Sequence, residues 1–144
     1  MLIAKKPAKQ GLNIIIVGCG KVGLTLIEQL VKEGHDITII DQDAKKVQEV
    51  GSIYDVMGVA GNGASHRVQM DAGIASANLL IAVTESDELN LLCCTVANQV
   101  ANCSTIARVR TPDYSGEASY LRDKLGLAMI INPELEAARE IARI

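Results

Sequence analysis

Short apolar runs alternate with helical segments along almost the whole chain. The first run, Asn13–Val17, is apolar from its second residue onward, which is typical of a strand buried on both faces. Further strands are predicted at Asp36–Ile40, Asp55–Ala60, Asn78–Val83, Thr105–Val109 and Ala128–Ile131. Parallel neighbours require crossover connections, which helices usually supply. The alternation therefore predicts an α/β fold with a doubly wound parallel sheet, six strands in the order 3-2-1-4-5-6.

The segments between these strands set the expected domain organisation. Helices are predicted at Lys21–Glu33, Asp43–Val50, Ser65–Ala72, Glu88–Ala101 and Tyr114–Leu125, with Ser86 as the N-cap of the fourth. Residues 1–12 contain lysines but no apolar run, and we interpret them as a flexible leader. Residues 13–132 form the predicted domain. Residues 133–144 begin a further, crossover helix without a terminating residue, so we expect the natural polypeptide to continue beyond Ile144.

Composition excludes several classes of function. Among 144 residues, 14 Lys and Arg stand against 17 Asp and Glu, so no basic face for nucleic acid is expected. The chain has no Trp and no Phe, which disfavours base stacking. No apolar run approaches the length of a membrane helix, so direct membrane insertion is not expected. The four cysteines form no C-x-x-C and no Cys/His cluster, which predicts reduced thiols, no metal site and a cytoplasmic protein.

A glycine-rich turn follows the first strand and opens the first helix. It consists of Gly18, Cys19, Gly20, Lys21, Val22 and Gly23, the G-x-G-x-x-G spacing in its informative strand–turn–helix context. The first glycine allows the tight turn, the second lets a pyrophosphate approach the backbone, and the third permits close packing of helix on strand. The N–H groups that begin the helix can then hold the anion. The pattern predicts Rossmann-type nucleotide binding, with Lys21 either a phosphate contact or a solvated side chain.

Residues after the second and third strands are candidates for the adenosine half of a nucleotide. Asp41 closes the second strand, where its carboxylate can accept hydrogen bonds from a ribose, and Gln42 follows it. The charge of Asp41 would repel a 2′-phosphate and no Arg follows, so NAD(H) or ATP/ADP is favoured over NADP. The loop with Gly61, Asn62 and Gly63 suits positive φ and a backbone approach to adenine. An ordinary turn is an equal alternative for that loop.

Two further residues are candidates at the other half of the sheet edge. Thr84 ends the fourth strand opposite the glycine turn, so we expect its backbone to face the second half of a dinucleotide. Arg108 and Arg110 lie two residues apart on the fifth strand, and the spacing predicts that they share a face. They meet either phosphates, a neighbouring subunit or only solvent.

No catalytic residue is predicted from this sequence. Neither a G-x-S-x-G nucleophile elbow nor an acid–base group matched to a second substrate is evident. If the chain belongs to an NAD-dependent oxidoreductase, it is the cofactor-binding domain, and the catalytic groups would have to lie on a further domain. An S-adenosylmethionine-dependent methyltransferase is another interpretation, disfavoured because the glycine turn has the full dinucleotide spacing.

Several stretches resemble the amino-terminal nucleotide-binding domain of the RCK family, also called KTN or TrkA-N. The most specific are Val59–Ser65, Val83–Asn90 and Ile106–Arg110, and the resemblance covers nearly the whole chain after residue 12. It implies that the glycine turn cradles phosphates and that Asp41 holds the ribose. Lys21 stands where Arg is common in the family, and Asn62 where Asp is common.

The resemblance also implies a biological role. It implies a regulatory domain that binds NAD(H) or ATP/ADP and controls a potassium-uptake system, and not an enzyme. Members of the family assemble as homodimers that build rings beneath a membrane potassium-transport subunit, on the cytoplasmic side. A second, carboxy-terminal lobe usually follows, reached through a crossover helix that matches Glu134–Ile144.

Overall fold

The sheet has the predicted doubly wound topology. A computed structural model describes residues 11–111, 117–126 and 129–131. Its strands are β1 (Asn13–Val17), β2 (Asp36–Asp41), β3 (Met57–Ala60), β4 (Leu79–Ala82), β5 (Ser104–Arg108) and β6 (Met129–Ile131). They pair in parallel in the order β3-β2-β1-β4-β5-β6. The predicted order of the six strands is confirmed.

Helices cover both faces of this sheet. They are α1 (Lys21–Lys32), α2 (Ala44–Tyr54), α3 (His66–Asp71), α4 (Asp87–Val100) and α5 (Ala118–Leu125), with a 3₁₀ turn at Ile74–Ser76 that the sequence did not predict. Alternate residues of β1 enter different cores. Ile14 and Ile16 pack with α1 and α2, whereas Ile15 and Val17 pack with α3 and α4. Burial on both faces explains why this strand is continuously apolar.

The second helix is longer than the sequence predicts. The predicted helix ended at Val50, but α2 continues through Gly51 to Tyr54, and its C-cap residue Asp55 has φ 56°. The carbonyl of Gly51 accepts a hydrogen bond from Val56 N–H, and a Cβ at Gly51 would lie 3.1 Å from the Val56 carbonyl oxygen. Gly51 therefore serves the close return of the chain into β3 and does not stop the helix.

The ends of the predicted domain lie partly outside the described residues. Residues 1–10 of the leader and 132–144, with the predicted crossover helix, are outside them, as are 112–116 at the start of the predicted fifth helix. Leu12, the last residue of the predicted leader, donates its N–H to His35 Nδ1 and accepts a hydrogen bond from Asp36 N–H. The domain boundaries stay predictions. Within the described ranges, no helix is long and apolar enough to cross a membrane.

The strand register places the candidate residues at one edge of the sheet. Val17 at the end of β1 is level with Ile40 on one side and with Ala82 on the other. Asp41 lies one residue beyond Ile40 and is level with Ala60 of β3. The chain leaves β1 between β2 and β4, where the strand order reverses. In open α/β sheets ligands bind outside the carboxyl ends of the strands at this switch point.

Candidate functional site

Two glycines of the turn are required by packing. Gly18 has φ 110°, a conformation that side chains rarely adopt, and a Cβ there would lie 3.0 Å from the Val83 backbone. Its N–H donates to the Ile40 carbonyl at 2.8 Å. A Cβ on Gly23 would overlap the carbonyl oxygen of Gly18. The first and third glycines therefore bring α1 against the end of β1.

Gly20 has a different environment. No atom lies within 4 Å of the position that its Cβ would occupy, and its φ of −79° is accessible to any residue. It is the N-cap of α1, and its carbonyl accepts the first helical hydrogen bond, from Leu24. The N–H groups of Gly20, Lys21, Val22 and Gly23 have no acceptor among the described residues. Free N–H groups at the positive end of a helix form an anion-binding site.

Asp41 ties the glycine turn to the next helix. Its Oδ2 accepts a hydrogen bond from Cys19 N–H at 2.8 Å, and its Oδ1 accepts one from Asp43 N–H at 2.9 Å. Asp43 caps α2 by accepting hydrogen bonds from the N–H groups of Lys45 and Lys46. Both carboxylate oxygens of Asp41 already accept one hydrogen bond each. A carboxylate has about four acceptor positions, so it can still accept ribose hydroxyls.

A narrow crevice brings together part of the candidate set. Gly18, Asp41, Gln42, Gly61, Gly63 and Thr84 line it, together with Val17, Ile40 and Leu89. Its volume of about 30 Å³ suits water and not a nucleotide. A dinucleotide would have to lie along the open rim, above the carboxyl ends of the strands.

The other candidates lie around this crevice. Cys19, Gly20 and Lys21 line a groove of about 480 Å³ between α1 and α2. Val22 packs against the core beneath α1. Arg108, at the end of β5, lines neither the crevice nor the groove. The structure thus gathers the turn, Asp41 and the second glycine loop at one edge, but leaves Arg108 to the side.

The structure distinguishes between the two interpretations of the second glycine loop. Of these alternatives, positive φ is not observed: among the described residues only Gly18, Gly34, Asp55, Gly73 and Gly126 have it. The loop turns instead through the Asn62 side chain, whose Oδ1 accepts from Ala64 N–H at 2.9 Å.

Close packing explains both glycines of that loop. A Cβ at Gly61 would lie 2.8 Å from Val68 Cγ2, and one at Gly63 would overlap Val17 Cγ1. Glycine is thus required there by proximity to neighbouring side chains and not by backbone conformation.

Thr84 is held by a buried side chain that the sequence analysis did not single out. Asn90, fully buried, accepts from both the N–H and the hydroxyl of Thr84, at 2.8 and 2.7 Å. Its Nδ2 donates to the carbonyls of Thr84 and Arg108. The Thr84 N–H is therefore used within the protein, and of the Thr84 backbone groups only the carbonyl retains a free acceptor position for a ligand. Asn90 joins the carboxyl ends of β4 and β5.

The prediction that Arg110 lies on the fifth strand is wrong. β5 ends at Arg108, and Arg110 lies beyond it, where its guanidinium contacts Glu85 Oε1 at 3.1 Å. Asp87, at the start of α4, accepts hydrogen bonds from the N–H groups of Arg110 and Thr111. Burial alone would raise the pKa of Asp87, but these hydrogen bonds outweigh it and lower the pKa below its ordinary value.

The four cysteines are buried and free. Burial, reinforced by the Asp41 carboxylate, raises the pKa of the Cys19 thiol to about 11, and burial raises the pKa of Cys93 to about 12. The pKa values of Cys94 and Cys103 are also raised by burial. These thiols are protonated at neutral pH, so they act as apolar packing groups and not as nucleophiles.

We expect Asp41→Ala to weaken nucleotide binding by roughly 1.5–3 kcal/mol, the range for hydrogen bonds to a charged group. The variant loses the acceptor for the ribose and the two hydrogen bonds that order Cys19 and Asp43. Titration calorimetry with NADH measures the loss, and the thermal midpoint reports the loosening of the turn separately. An affinity equal to that of the unmodified chain would show that Asp41 has a structural role only.

The topology and the glycine turn together define a doubly wound domain of the Rossmann type. Within that class, the chain belongs to the TrkA-N domain family, whose model matches residues 14–133. The resemblance inferred from the sequence is confirmed.

Curated relatives carry a consistent name. The "Trk system potassium uptake protein TrkA" of Haemophilus influenzae is 38% identical over 136 residues, 92% of this chain and 30% of the relative. The TrkA homolog of Archaeoglobus fulgidus is 36% identical over 133 residues, which again cover 92% of this chain and 30% of the relative. This chain thus spans about a third of the length of these relatives.

Solved structures show the same fold. The TrkA-N domain of the inner membrane protein ybaL from Escherichia coli superposes with a TM-score of 0.74 at 24% identity, covering 92% of this chain and 96% of that one. The GsuK channel bound to NAD superposes with a TM-score of 0.71 at 21% identity, over 88% of this chain and 22% of the channel chain.

Proposed function

We propose that this chain is a nucleotide-binding regulatory domain whose ligand is NAD(H) or ATP/ADP. The observation that carries the proposal is the row of unsatisfied N–H groups at the start of α1, from Gly20 to Gly23, beside the Asp41 carboxylate. The N–H groups suit a pyrophosphate and the carboxylate suits an adenosine ribose. Solved relatives of the same fold include the GsuK channel bound to NAD and to ADP, which supports this ligand class.

The regulated process in our proposal is potassium uptake. The curated relatives that match most of this chain are named for Trk potassium uptake, at 38% and 36% identity. We assign as partner a membrane potassium-transport subunit, contacted from the cytoplasmic side. Coupling requires that the nucleotide bind more tightly to one arrangement of the assembly than to another.

Self-association is the means of coupling in this proposal. On the face of the sheet that α3 and α4 cover, Leu92 is 52% exposed and Met70 46% exposed, and Val96 and Val100 follow Leu92 along α4. Leu92, Val96 and Val100 are four residues apart and therefore share one face of α4, and exposed apolar side chains of this kind mark interaction surfaces. We assign this surface, defined by Met70, Leu92, Val96 and Val100, to contact with a second copy of the chain.

Light scattering with and without NADH or ADP tests the proposal. We expect dimers or larger species, a distribution that changes with nucleotide, and weaker association in Leu92→Asp. Met57→Asp, at an exposed apolar position on the edge strand β3, is the matched control and should associate normally. A chain that is monomeric under every condition contradicts the regulatory assembly.

The same samples distinguish the regulator from an oxidoreductase. We expect NADH to be recovered chemically unchanged, because the sequence offers no acid–base group matched to a second substrate. Oxidation of NADH with an added carbonyl acceptor, faster than in a protein-free control, would favour the oxidoreductase alternative.

A further inference from the structure

A fully buried glutamine lies beneath the second glycine loop. Gln69 of α3 has no exposed surface. Its Nε2 donates to the carbonyl of Gly63 at 2.8 Å and to the carbonyl of Cys93 at 3.0 Å. No donor among the described residues reaches its Oε1. Burying a primary amide with one unsatisfied oxygen costs free energy. An apolar side chain would fill the same space without that cost, so packing alone does not account for a glutamine at this position.

The two carbonyls belong to elements that do not otherwise bond to each other in the described hydrogen-bond network. Gly63 lines the crevice, and Cys93 lies in the middle of α4. A Cβ on Gly63 would also lie 3.2 Å from Cys93 Sγ, so the loop is pressed against this helix. At its other end the loop is fixed by Gly61 N–H, which donates to the backbone carbonyl of Asp41 at 2.9 Å. The loop thus spans from Asp41 to α4, and Gln69 fixes the α4 end.

We infer that Gln69 is a positioning residue for nucleotide binding: it fixes the backbone of Gly63, which lines the crevice beneath the loop, and so sets the position of the loop that meets the adenosine half, without contacting the ligand. The inference rests on the proposed function, since it concerns the same site. Fixing a binding loop before the ligand arrives reduces the conformational entropy lost on binding. An amide is suited to this task because it offers two N–H donors to two carbonyl oxygens, which an apolar or acidic side chain of the same size does not.

Two nearly isosteric variants separate positioning from packing. Gln69→Met keeps the volume and removes both donors. Gln69→Glu keeps the shape, donates one O–H when it is protonated, and directs a charge at two carbonyl oxygens when it is ionised. Burial and these carbonyls would raise the pKa of the new carboxyl group, so its effect on binding should depend on pH. Gln48→Met, at an exposed position on α2, is the matched control.

The test measures the affinity for ADP by titration calorimetry at pH 5.5 and pH 8.5. The affinity of each variant is divided by that of the unmodified chain at the same pH. Measurements are made well below the thermal midpoint of every variant. We expect Gln69→Met to bind about tenfold more weakly at both pH values. Gln69→Glu should bind within about threefold of the unmodified chain at pH 5.5 and more than tenfold more weakly at pH 8.5. Gln48→Met should not differ.

The outcomes distinguish this inference from the proposed function. If Gln69→Met has a lower thermal midpoint but binds ADP as the unmodified chain does, Gln69 is a packing residue and the inference is overturned, while the proposed function stands. Should Gln69→Glu unfold at pH 8.5, the Gln69→Met affinity decides alone. If the unmodified chain binds neither ADP nor NAD, the proposed function is wrong and the inference falls with it.

Discussion

Replacing Gly20 by valine abolishes nucleotide binding and leaves the fold intact. The Cβ position of Gly20 is open space and its backbone suits any residue, so the folded chain accommodates the side chain. That open space lies beside the free N–H groups of Gly20 to Gly23, where a pyrophosphate must approach. We expect a loss of at least about hundredfold in affinity for NADH or ADP, ~2.7 kcal/mol, measured by calorimetry, with an unchanged circular dichroism spectrum.

Gly23→Val is the matched control for this experiment. A side chain at Gly23 would overlap the Gly18 carbonyl, so this variant should lose stability first and binding as a consequence. Gly20→Val with the affinity of the unmodified chain would remove the glycine turn from the binding site.

Replacing Asn90 by leucine lowers the free energy of unfolding by about 3 kcal/mol, because buried groups left without partners cost about 1–3 kcal/mol each. The variant removes the donors to the Thr84 and Arg108 carbonyls and the acceptor of the Thr84 N–H. Urea unfolding followed by circular dichroism measures the change.

Asn98→Leu, on the same helix, is the control for Asn90. Asn98 is half-buried, and its Nδ2 donates to the Leu125 carbonyl at 3.3 Å, so we expect a loss below about 1 kcal/mol. Equal losses in the two variants would contradict the role that we give Asn90 in joining β4 to β5.

The sheet could be predicted from the sequence because its central strands, β1, β4 and β5, are buried on both faces. The Ile14–Val17 run has no polar residue, and Gly18 follows where the turn must begin. Helix ends were less predictable. Glycine often ends a helix, but Gly51 lies inside α2, where a Cβ would lie only 3.1 Å from the Val56 carbonyl oxygen. The sequence alone does not distinguish a glycine that ends a helix from one that allows close packing.

Within the candidate site, the sequence predicted only those residues that a local spacing pattern along the chain identifies. The turn from Gly18 to Gly23 and the strand-end Asp41 follow from their positions along the chain. Gln69 and Asn90 were missed, because each is a polar residue among apolar neighbours on a helix and acts on carbonyls distant in sequence. A polar residue on the buried side of an amphipathic helix is the one signal that could have indicated them.

Calorimetric titration of the unmodified chain with NAD, NADH, ATP, ADP, NADPH and S-adenosylmethionine tests the central claim, nucleotide binding at the edge formed by the glycine turn and Asp41. The account predicts saturable binding of NAD(H) or of ATP/ADP, one per chain, with NADPH weaker than NADH because the Asp41 carboxylate repels a 2′-phosphate. Tighter binding of NADPH, binding of S-adenosylmethionine alone, or no binding of any adenine nucleotide would contradict it.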